Sequence, residues 1–152
     1  MSMINEQRQR QAVVDEAKSW IRTPYHNRAK VKGAGVDCGQ ILIAVYSTAL
    51  PGIIPNFDPG VYNKDFMLHR NEEIYLGWIE KFAHKIKNNQ LPGDVALFKF
   101  GRVVCHGAII IDKTSIIHAY SEARCVVIDD IIRNVSLANH FYGFYRPNVW
   151  GE

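Results

Sequence analysis

The chain has 152 residues, 47% of them hydrophobic and 22% charged, which suits a single domain, residues 1–152, with a buried core. A disordered chain would carry fewer apolar residues. The net charge of +3 at pH 7 is small, and basic residues form no block of five or six. This pattern argues against a nucleic-acid-binding protein.

The N-terminal residues are polar and lack the apolar core of a signal peptide, and no apolar run is long enough to span a bilayer. We therefore expect synthesis in the cytoplasm and no integral membrane segment. Three cysteines are too few and too widely spaced for a disulfide framework, and we expect free thiols at Cys38, Cys105 and Cys125. The pattern requires no metal or organic cofactor.

Helical periodicity marks the first half of the chain. The apolar face of a first helix consists of Val13, Val14, Ala17, Trp20 and Ile21. That helix should end before Pro24, because a proline disfavours the α conformation in the residue before it. Residues 25–36 follow as a loop rich in glycine and basic residues. A second helix is predicted from Cys38 to near Leu50, and a third from near Asn71.

After Pro92 and Gly93 the pattern changes to short β-like runs. The predicted strands are residues 95–100, 108–111, 115–120, 125–128 and 141–146. Helices followed by strands predict an α+β domain, in which N-terminal helices pack on a mostly antiparallel sheet of five to six strands.

Cys38 is the candidate nucleophile. It follows a glycine-rich loop, and we place it in the first turn of the second helix, where unpaired N–H groups and the helix dipole favour a thiolate. The same N–H groups could hold the oxyanion of a tetrahedral intermediate. A free cysteine is also commonly a small buried hydrophobic residue, so this position alone leaves both roles open.

A nucleophilic cysteine needs a base, and the base needs a residue that orients it. His106 opens a predicted strand and His118 lies in the next, so antiparallel pairing can place them side by side. His118 would accept a hydrogen bond from one ring nitrogen of His106, which leaves the other nitrogen to face Cys38. We place His84 on a solvated, lysine-rich helix end. A strand histidine alone is more often structural, so the argument depends on the three residues together.

Zinc is an alternative for these residues, since cysteine and histidine are its usual ligands. The spacing of Cys38, Cys105, His106, His118 and Cys125 fits no compact zinc motif. Cys105 and His106 are adjacent, and neighbouring strand residues point to opposite faces. We therefore interpret Cys105 and Cys125 as core residues.

Three blocks occur in order along the chain: WIRTPY at residues 20–25 with Asp37 and Cys38 after it, LPGDVALF at residues 91–98, and HGAI at residues 106–109 followed by IHA at residues 117–119. They resemble the TPY … DCSGL, PGDLVFF and HVGIY … IHA blocks of the NlpC/P60 family of cell-wall cysteine peptidases. The resemblance extends over most of residues 17–120.

The resemblance implies a papain-like fold and hydrolysis of amide bonds in peptidoglycan stem peptides. It makes Cys38 the nucleophile, His106 the base and His118 the third polar residue. The substrate-binding residues it implies are Asp37, Gly39 and Gln40. It also suggests that the Tyr25 hydroxyl lies near the oxyanion, and a packed aromatic ring beneath the loop is the equal alternative.

Three positions depart from the family pattern. Gly39 and Gln40 replace Ser-Gly after the cysteine. Gly39 keeps its backbone N–H as an oxyanion donor. The larger side chain of Gln40 is expected to change the substrate preference. Gly107 replaces a valine after the histidine and is expected to loosen the start of the strand slightly.

Residues 65–73 resemble a segment of the phage tail-assembly members of the family. That resemblance implies a phage or prophage protein carried in the virion tail, with tail-tip proteins as partners. One alternative is a non-catalytic structural component of the tail that keeps the same fold. Another is a different acyl chemistry on this fold, such as lipid or amide transfer.

Overall fold

The computed structural model describes residues 2–60 and 74–151. The elements in chain order are α1 (Met3–Lys18), β1 (Lys30–Val31), β2 (Gly35–Val36), α2 (Gln40–Ala49), α3 (Ile74–Glu80), β3 (Ala83–Ile86), β4 (Val95–Phe100), β5 (Val103–Asp112), β6 (Ser115–Tyr120), β7 (Cys125–Asp130), α4 (Val135–His140) and β8 (Phe141–Pro147). The predicted helix start near Asn71, His69 and the segment 65–73 lie outside the described residues.

The first helix is shorter at its C-terminal end than its apolar pattern predicts. The Ser2 hydroxyl caps α1 by accepting a hydrogen bond from the Asn5 N–H at 3.1 Å, and the helix ends at Lys18. Trp20 lies in the turns that follow, because its carbonyl accepts from the Thr23 N–H at 2.9 Å. Its side chain is nevertheless 5% exposed and belongs to the core.

The second helix is the most deeply buried of the helices that the structure describes. All residues of α2 from Gln40 to Tyr46 are buried. A helix that is apolar on every side packs in the interior rather than at the surface. Its regular part begins at Gln40, and the Ile41 N–H already donates to the Asp37 carbonyl at 3.0 Å, so Cys38 lies in the turn that leads into the helix, close to the predicted start. None of the helices that the structure describes is both long and apolar enough to cross a membrane.

The strands form one six-stranded antiparallel sheet in the order β3-β8-β4-β5-β6-β7, which confirms the predicted α+β class. The edge strand β3 does not stand out in the sequence, because it is short and contains a lysine. His84 therefore lies in a strand and not on a helix end, and its Nδ1 is 2.8 Å from Asn148 Oδ1. The hairpin β1–β2 within residues 25–36 and the short helix α4 were likewise not predicted.

Strand alternation divides the core into two layers. Leu97, Ile109 and Ile117 pack with residues of α1 and α2, whereas Phe98 and Ile110 pack with Leu137 of α4 on the opposite side. Side chains alternate between the faces of a strand, so neighbouring residues of β5 contribute to different layers.

A buried ion cluster joins α1 to the sheet. The Asp94 carboxylate is fully buried and accepts from Arg10 Nη1 and Arg146 Nη2, each at 2.9 Å. It also accepts from the Leu91 N–H at 2.9 Å, which closes the turn before β4. Gly93 has a φ of +94°, and a Cβ there would lie 3.0 Å from the Trp150 ring. The Pro-Gly-Asp sequence thus has a structural role in positioning β4.

Candidate functional site

Cys38 lies in the turn between β2 and α2, and Asp37 fixes that turn. Asp37 Oδ1 accepts from the backbone N–H groups of Gly39 at 3.1 Å and Gln40 at 2.8 Å. Its Oδ2 accepts from the Arg28 N–H at 2.7 Å. Asp37 is 3% exposed, so these bonds are shielded from water. The Asp37 carboxylate therefore caps α2 and fixes the turn that contains Cys38.

This arrangement changes the predicted role of Gly39. The sequence offers the Gly39 N–H as an oxyanion donor, but in the structure that N–H is donated to Asp37. A Cβ at residue 39 would lie in ordinary van der Waals contact with the rings of Tyr75 and Trp78, each at 3.5 Å, so the packing here does not require glycine.

The Cys38 thiol is half-buried and adopts the geometry of a hydrogen-bond donor. Its Sγ lies 3.5 Å from the carbonyl oxygen of Cys105. Burial raises the pKa of Cys38 above its ordinary value, and the nearby Asp37 carboxylate raises it further. The direction of this shift disfavours the thiolate expected from the helix start, and Asp37 already accepts from the N–H groups of Gly39 and Gln40. Cys38 rests as a neutral thiol.

The Tyr25 hydroxyl lies beside Cys38. Burial raises the pKa of Tyr25, and the Cys38 thiol and backbone are both close enough to affect it. A hydroxyl with a raised pKa stays protonated and can donate a hydrogen bond. Tyr25 is held by two backbone contacts of its segment, since its N–H donates to the Arg124 carbonyl at 2.8 Å and Pro24 bridges to Cys125.

Tyr75 also contacts Cys38, through the backbone of that residue. Its hydroxyl donates to the Cys38 carbonyl at 2.9 Å. The space for this hydroxyl exists because residue 107 is glycine: a Cβ on Gly107 would lie 2.7 Å from the Tyr75 oxygen. Sequence reasoning missed this contact and assigned Gly107 only a loosening effect on the strand.

His106 and His118 meet as the sequence predicts. His106 Nε2 lies 2.8 Å from His118 Nδ1, and the rings are edge-on with centroids 5.0 Å apart. Ile110 of β5 pairs with Ile116 of β6, so both histidines lie on the same face of adjacent strands. They are 7% and 0% exposed. Burial lowers the pKa of both histidines, and the proximity of His118 lowers that of His106 further. Both rings are therefore neutral at pH 7.

The carboxylate of Asp129 contacts His118 on the side away from His106, and sequence reasoning missed it. His118 Nε2 lies 3.0 Å from Asp129 Oδ2, and the same oxygen accepts from Asn134 Nδ2 at 2.9 Å. Val127 pairs with His118, and Asp129 follows two residues later on the same face of β7. An acidic residue on the strand after His118 was the available signal, but its use requires the register of β7.

The Cys38 thiol contacts the backbone of β5 at the bulge just before His106. Phe98 pairs with His106 and Lys99 with Val104, which leaves Cys105 as the extra residue. The Cys105 carbonyl contacts the Cys38 thiol, so Cys38 lies against the residue that precedes His106. The hydrogen bonds of the described residues include no bond between the thiol and the His106 ring.

Gln40 lines a polar groove beside this site, together with His26, Asn27, Arg28 and Asp58. Gln40 is 6% exposed, and its Oε1 has no hydrogen-bond partner among the described residues. The three cysteines are free thiols. Within residues 2–60 and 74–151, no three His, Cys, Asp or Glu side chains are grouped so that they could hold a metal ion.

No protein-family model and no curated protein matches this sequence. Solved structures do match it. An NlpC/P60 family protein from Bacillus cereus superposes with a TM-score of 0.67 at 20% identity, over 91% of this chain and 40% of that one. The NlpC/p60 domain of the peptidoglycan hydrolase SagA gives 0.60 at 20% identity, over 90% and 96%. The chain has the NlpC/P60 fold.

The mycobacterial peptidoglycan hydrolase RipB, from Mycobacterium tuberculosis, gives a TM-score of 0.61 at 15% identity, over 95% of this chain and 67% of RipB. At such identities the likeness concerns the fold. The NlpC/P60 fold predicted from the three sequence blocks is confirmed. This chain spans less than half the length of the Bacillus cereus protein.

Proposed function

We propose that this protein is a cysteine hydrolase that cleaves amide bonds in peptidoglycan stem peptides. Two contacts together carry the proposal. The Cys38 thiol contacts the carbonyl of Cys105, the residue before His106, and the buried His106 ring is hydrogen-bonded to His118. A nucleophile, a neutral base and a residue that orients the base are the three parts this chemistry requires. The choice of peptidoglycan follows the NlpC/P60 fold, since SagA and RipB are peptidoglycan hydrolases.

The reaction begins from the neutral thiol. Cys38 Sγ attacks the scissile carbonyl carbon while its proton moves to the unprotonated nitrogen of His106. The Tyr25 hydroxyl and the Cys38 N–H stabilise the oxyanion. The His106 imidazolium then gives the proton to the leaving nitrogen as the C–N bond breaks, and a thioester remains on Cys38. Water adds to the thioester with His106 as base, which releases a carboxylic acid and restores the thiol.

Asp37 and Gln40 act on this reaction in different ways. Asp37 holds the turn that presents Cys38, and its role is therefore positional. Gln40 lines the polar groove with His26 and Arg28, and we assign it to substrate binding through that groove.

We extend the proposal to a phage or prophage tail protein whose partners are tail-tip proteins. This extension is supported by the resemblance of residues 65–73 to tail-assembly members of the family. Mass spectrometry of purified virions tests it directly. Absence of the chain from virions that carry all other tail proteins would contradict it.

The hydrolase is tested by incubating the protein with purified peptidoglycan and identifying soluble fragments by mass spectrometry. Cys38→Ala should lower the release by at least about a thousandfold, because the nucleophile is lost. Cys125→Ala is the matched control, since it removes a half-buried thiol that is not part of the proposed site. Release that persists in Cys38→Ala would overturn the mechanism. No release by the wild type would favour the non-catalytic tail component.

A further inference from the structure

We infer that Asp129 is a positioning residue that fixes, through His118, which nitrogen of His106 carries the proton. The inference rests on the proposed function, because it assigns a carboxylate to the same site. His106, His118 and Asp129 lie on three neighbouring strands, β5, β6 and β7, and are joined by contacts of 2.8 and 3.0 Å.

The direction of each hydrogen bond follows from what each group can donate. A carboxylate accepts hydrogen bonds and donates none, so His118 Nε2 must carry a hydrogen to bond Asp129 Oδ2. A neutral imidazole carries one ring hydrogen, so His118 Nδ1 is then an acceptor. His106 Nε2 must therefore carry the hydrogen in the bond between the two rings.

The consequence lies at the far nitrogen of His106. Because its Nε2 carries the hydrogen, Nδ1 holds the lone pair and can accept the proton of a thiol. Without Asp129, the bond between the rings can run in reverse, with His118 Nδ1 as donor and His106 Nε2 as acceptor. His106 Nδ1 would then carry the hydrogen, and the ring could not act as a base there.

The surroundings of Asp129 hold the carboxylate in this position. Its Oδ2 also accepts from Asn134 Nδ2 at 2.9 Å, and its Oδ1 accepts from the Asp130 N–H at 2.8 Å. Asn134 is itself fixed, since its side chain caps α4 through the Leu137 N–H at 3.2 Å. Tyr120 stacks on the His118 ring with centroids 4.5 Å apart, which restricts rotation of that ring.

The arrangement also suits the charge that forms during the reaction. When His106 takes the thiol proton at Nδ1, it becomes an imidazolium that still donates from Nε2 to His118. The Asp129 side chain is 20% exposed, and the His118 side chain between it and His106 is fully buried. The negative charge of Asp129 can therefore stabilise the imidazolium across a ring that water does not reach. No proton needs to leave Asp129 or His118 in this step.

The experiment measures the tautomers directly in protein labelled with ¹⁵N-histidine. Two-bond nitrogen–proton correlations should show His106 and His118 of the wild type both protonated at Nε2. In Asp129→Asn the amide can donate to His118 Nε2, and we expect both rings to be protonated at Nδ1 instead. Asp130→Asn is the matched control: its carboxylate accepts from Thr114, Ile132 and Arg133, and the tautomers should stay unchanged.

Hydrolysis of a stem peptide provides the second readout. We expect Asp129→Asn to lower kcat by roughly 10²- to 10⁴-fold at nearly constant KM, because the base is present in the wrong tautomer. Asp130→Asn should retain wild-type kinetics. Unchanged tautomers in Asp129→Asn would overturn the inference, and so would reversed tautomers with unchanged kcat. If the wild type hydrolyses nothing, the proposed function fails, while the tautomer measurement still decides whether Asp129 orients the rings.

Discussion

Replacing Gly107 with alanine tests which effect determines stability at this position: the close approach of the Tyr75 hydroxyl, or the lower strand propensity of glycine. Glycine inside a strand is less favourable than alanine by roughly 0.5–1 kcal/mol, so propensity alone predicts that Gly107→Ala stabilises the protein. The structure predicts the opposite, because the new Cβ would lie 2.7 Å from the Tyr75 hydroxyl oxygen and 3.1 Å from both Leu42 Cδ1 and Leu97 Cδ2.

The packing effect should prevail. Overpacking a core typically costs about 1–3 kcal/mol. Displacing the Tyr75 hydroxyl from the Cys38 carbonyl removes a hydrogen bond of roughly 1 kcal/mol. After subtraction of the propensity gain, we expect Gly107→Ala to lower the free energy of unfolding by about 2 kcal/mol. For a chain of this size that corresponds to a fall in Tm of roughly 4–8 °C.

The assay is urea unfolding of Gly107→Ala, Tyr75→Phe and the double variant. Tyr75→Phe removes the oxygen that the new Cβ would meet but leaves the two leucine contacts at 3.1 Å, so in that background Gly107→Ala should lower the free energy of unfolding by at most about 1 kcal/mol. The double-mutant cycle should give a coupling energy of about 1–2 kcal/mol. A Gly107→Ala protein as stable as the wild type, or two strictly additive single changes, would refute the reasoning.

Three further outcomes are expected from urea unfolding. Asp37→Asn should lower the free energy of unfolding by about 2 kcal/mol, because it turns an amide donor toward a buried N–H; Asp112→Asn at the surface is the control, and equal effects would contradict the capping role. Gln40→Met should raise it by about 1 kcal/mol, since a buried oxygen without a partner is removed; a loss would show that Oε1 is satisfied. Burial lowers the pKa of His106 and His118 in the folded protein, so below pH 6.5 the unfolded chain binds protons that the folded one does not. The free energy of unfolding should therefore fall by up to about 1.4 kcal/mol per pH unit for each histidine. A free energy of unfolding that is constant or rises between pH 6.5 and 5 would contradict this.

Much of the fold could be predicted from the sequence, because the main elements have a clear period. The apolar face around Val13 and Ala17, the continuous apolar run of α2 and the β-like runs after Gly93 each signal their element locally. The contact between His106 and His118 was also predictable, since their strands are joined by a short turn and pair with each other.

The parts that could not be predicted depend on contacts between distant segments. Asp129 reaches His118 only in the particular register of β6 with β7, which the sequence does not specify. Tyr75 and Gly107 are far apart in the chain, so the fit of a hydroxyl over a glycine is invisible before folding. The predicted start of α2 at Cys38 is two residues before the observed start at Gln40, and Asp37, which precedes both, caps its first N–H groups.

The central claim is that Cys38 attacks the scissile carbonyl. The most direct measurement uses a stem-peptide fragment whose scissile carbonyl carries a chloromethyl group, followed by tandem mass spectrometry of the labelled protein. The account predicts one covalent adduct per chain, on Cys38, which is lost in Cys38→Ala and slowed in His106→Ala. An adduct on Cys105 or Cys125, or labelling of Cys38 no faster than that of the unfolded chain, would contradict it.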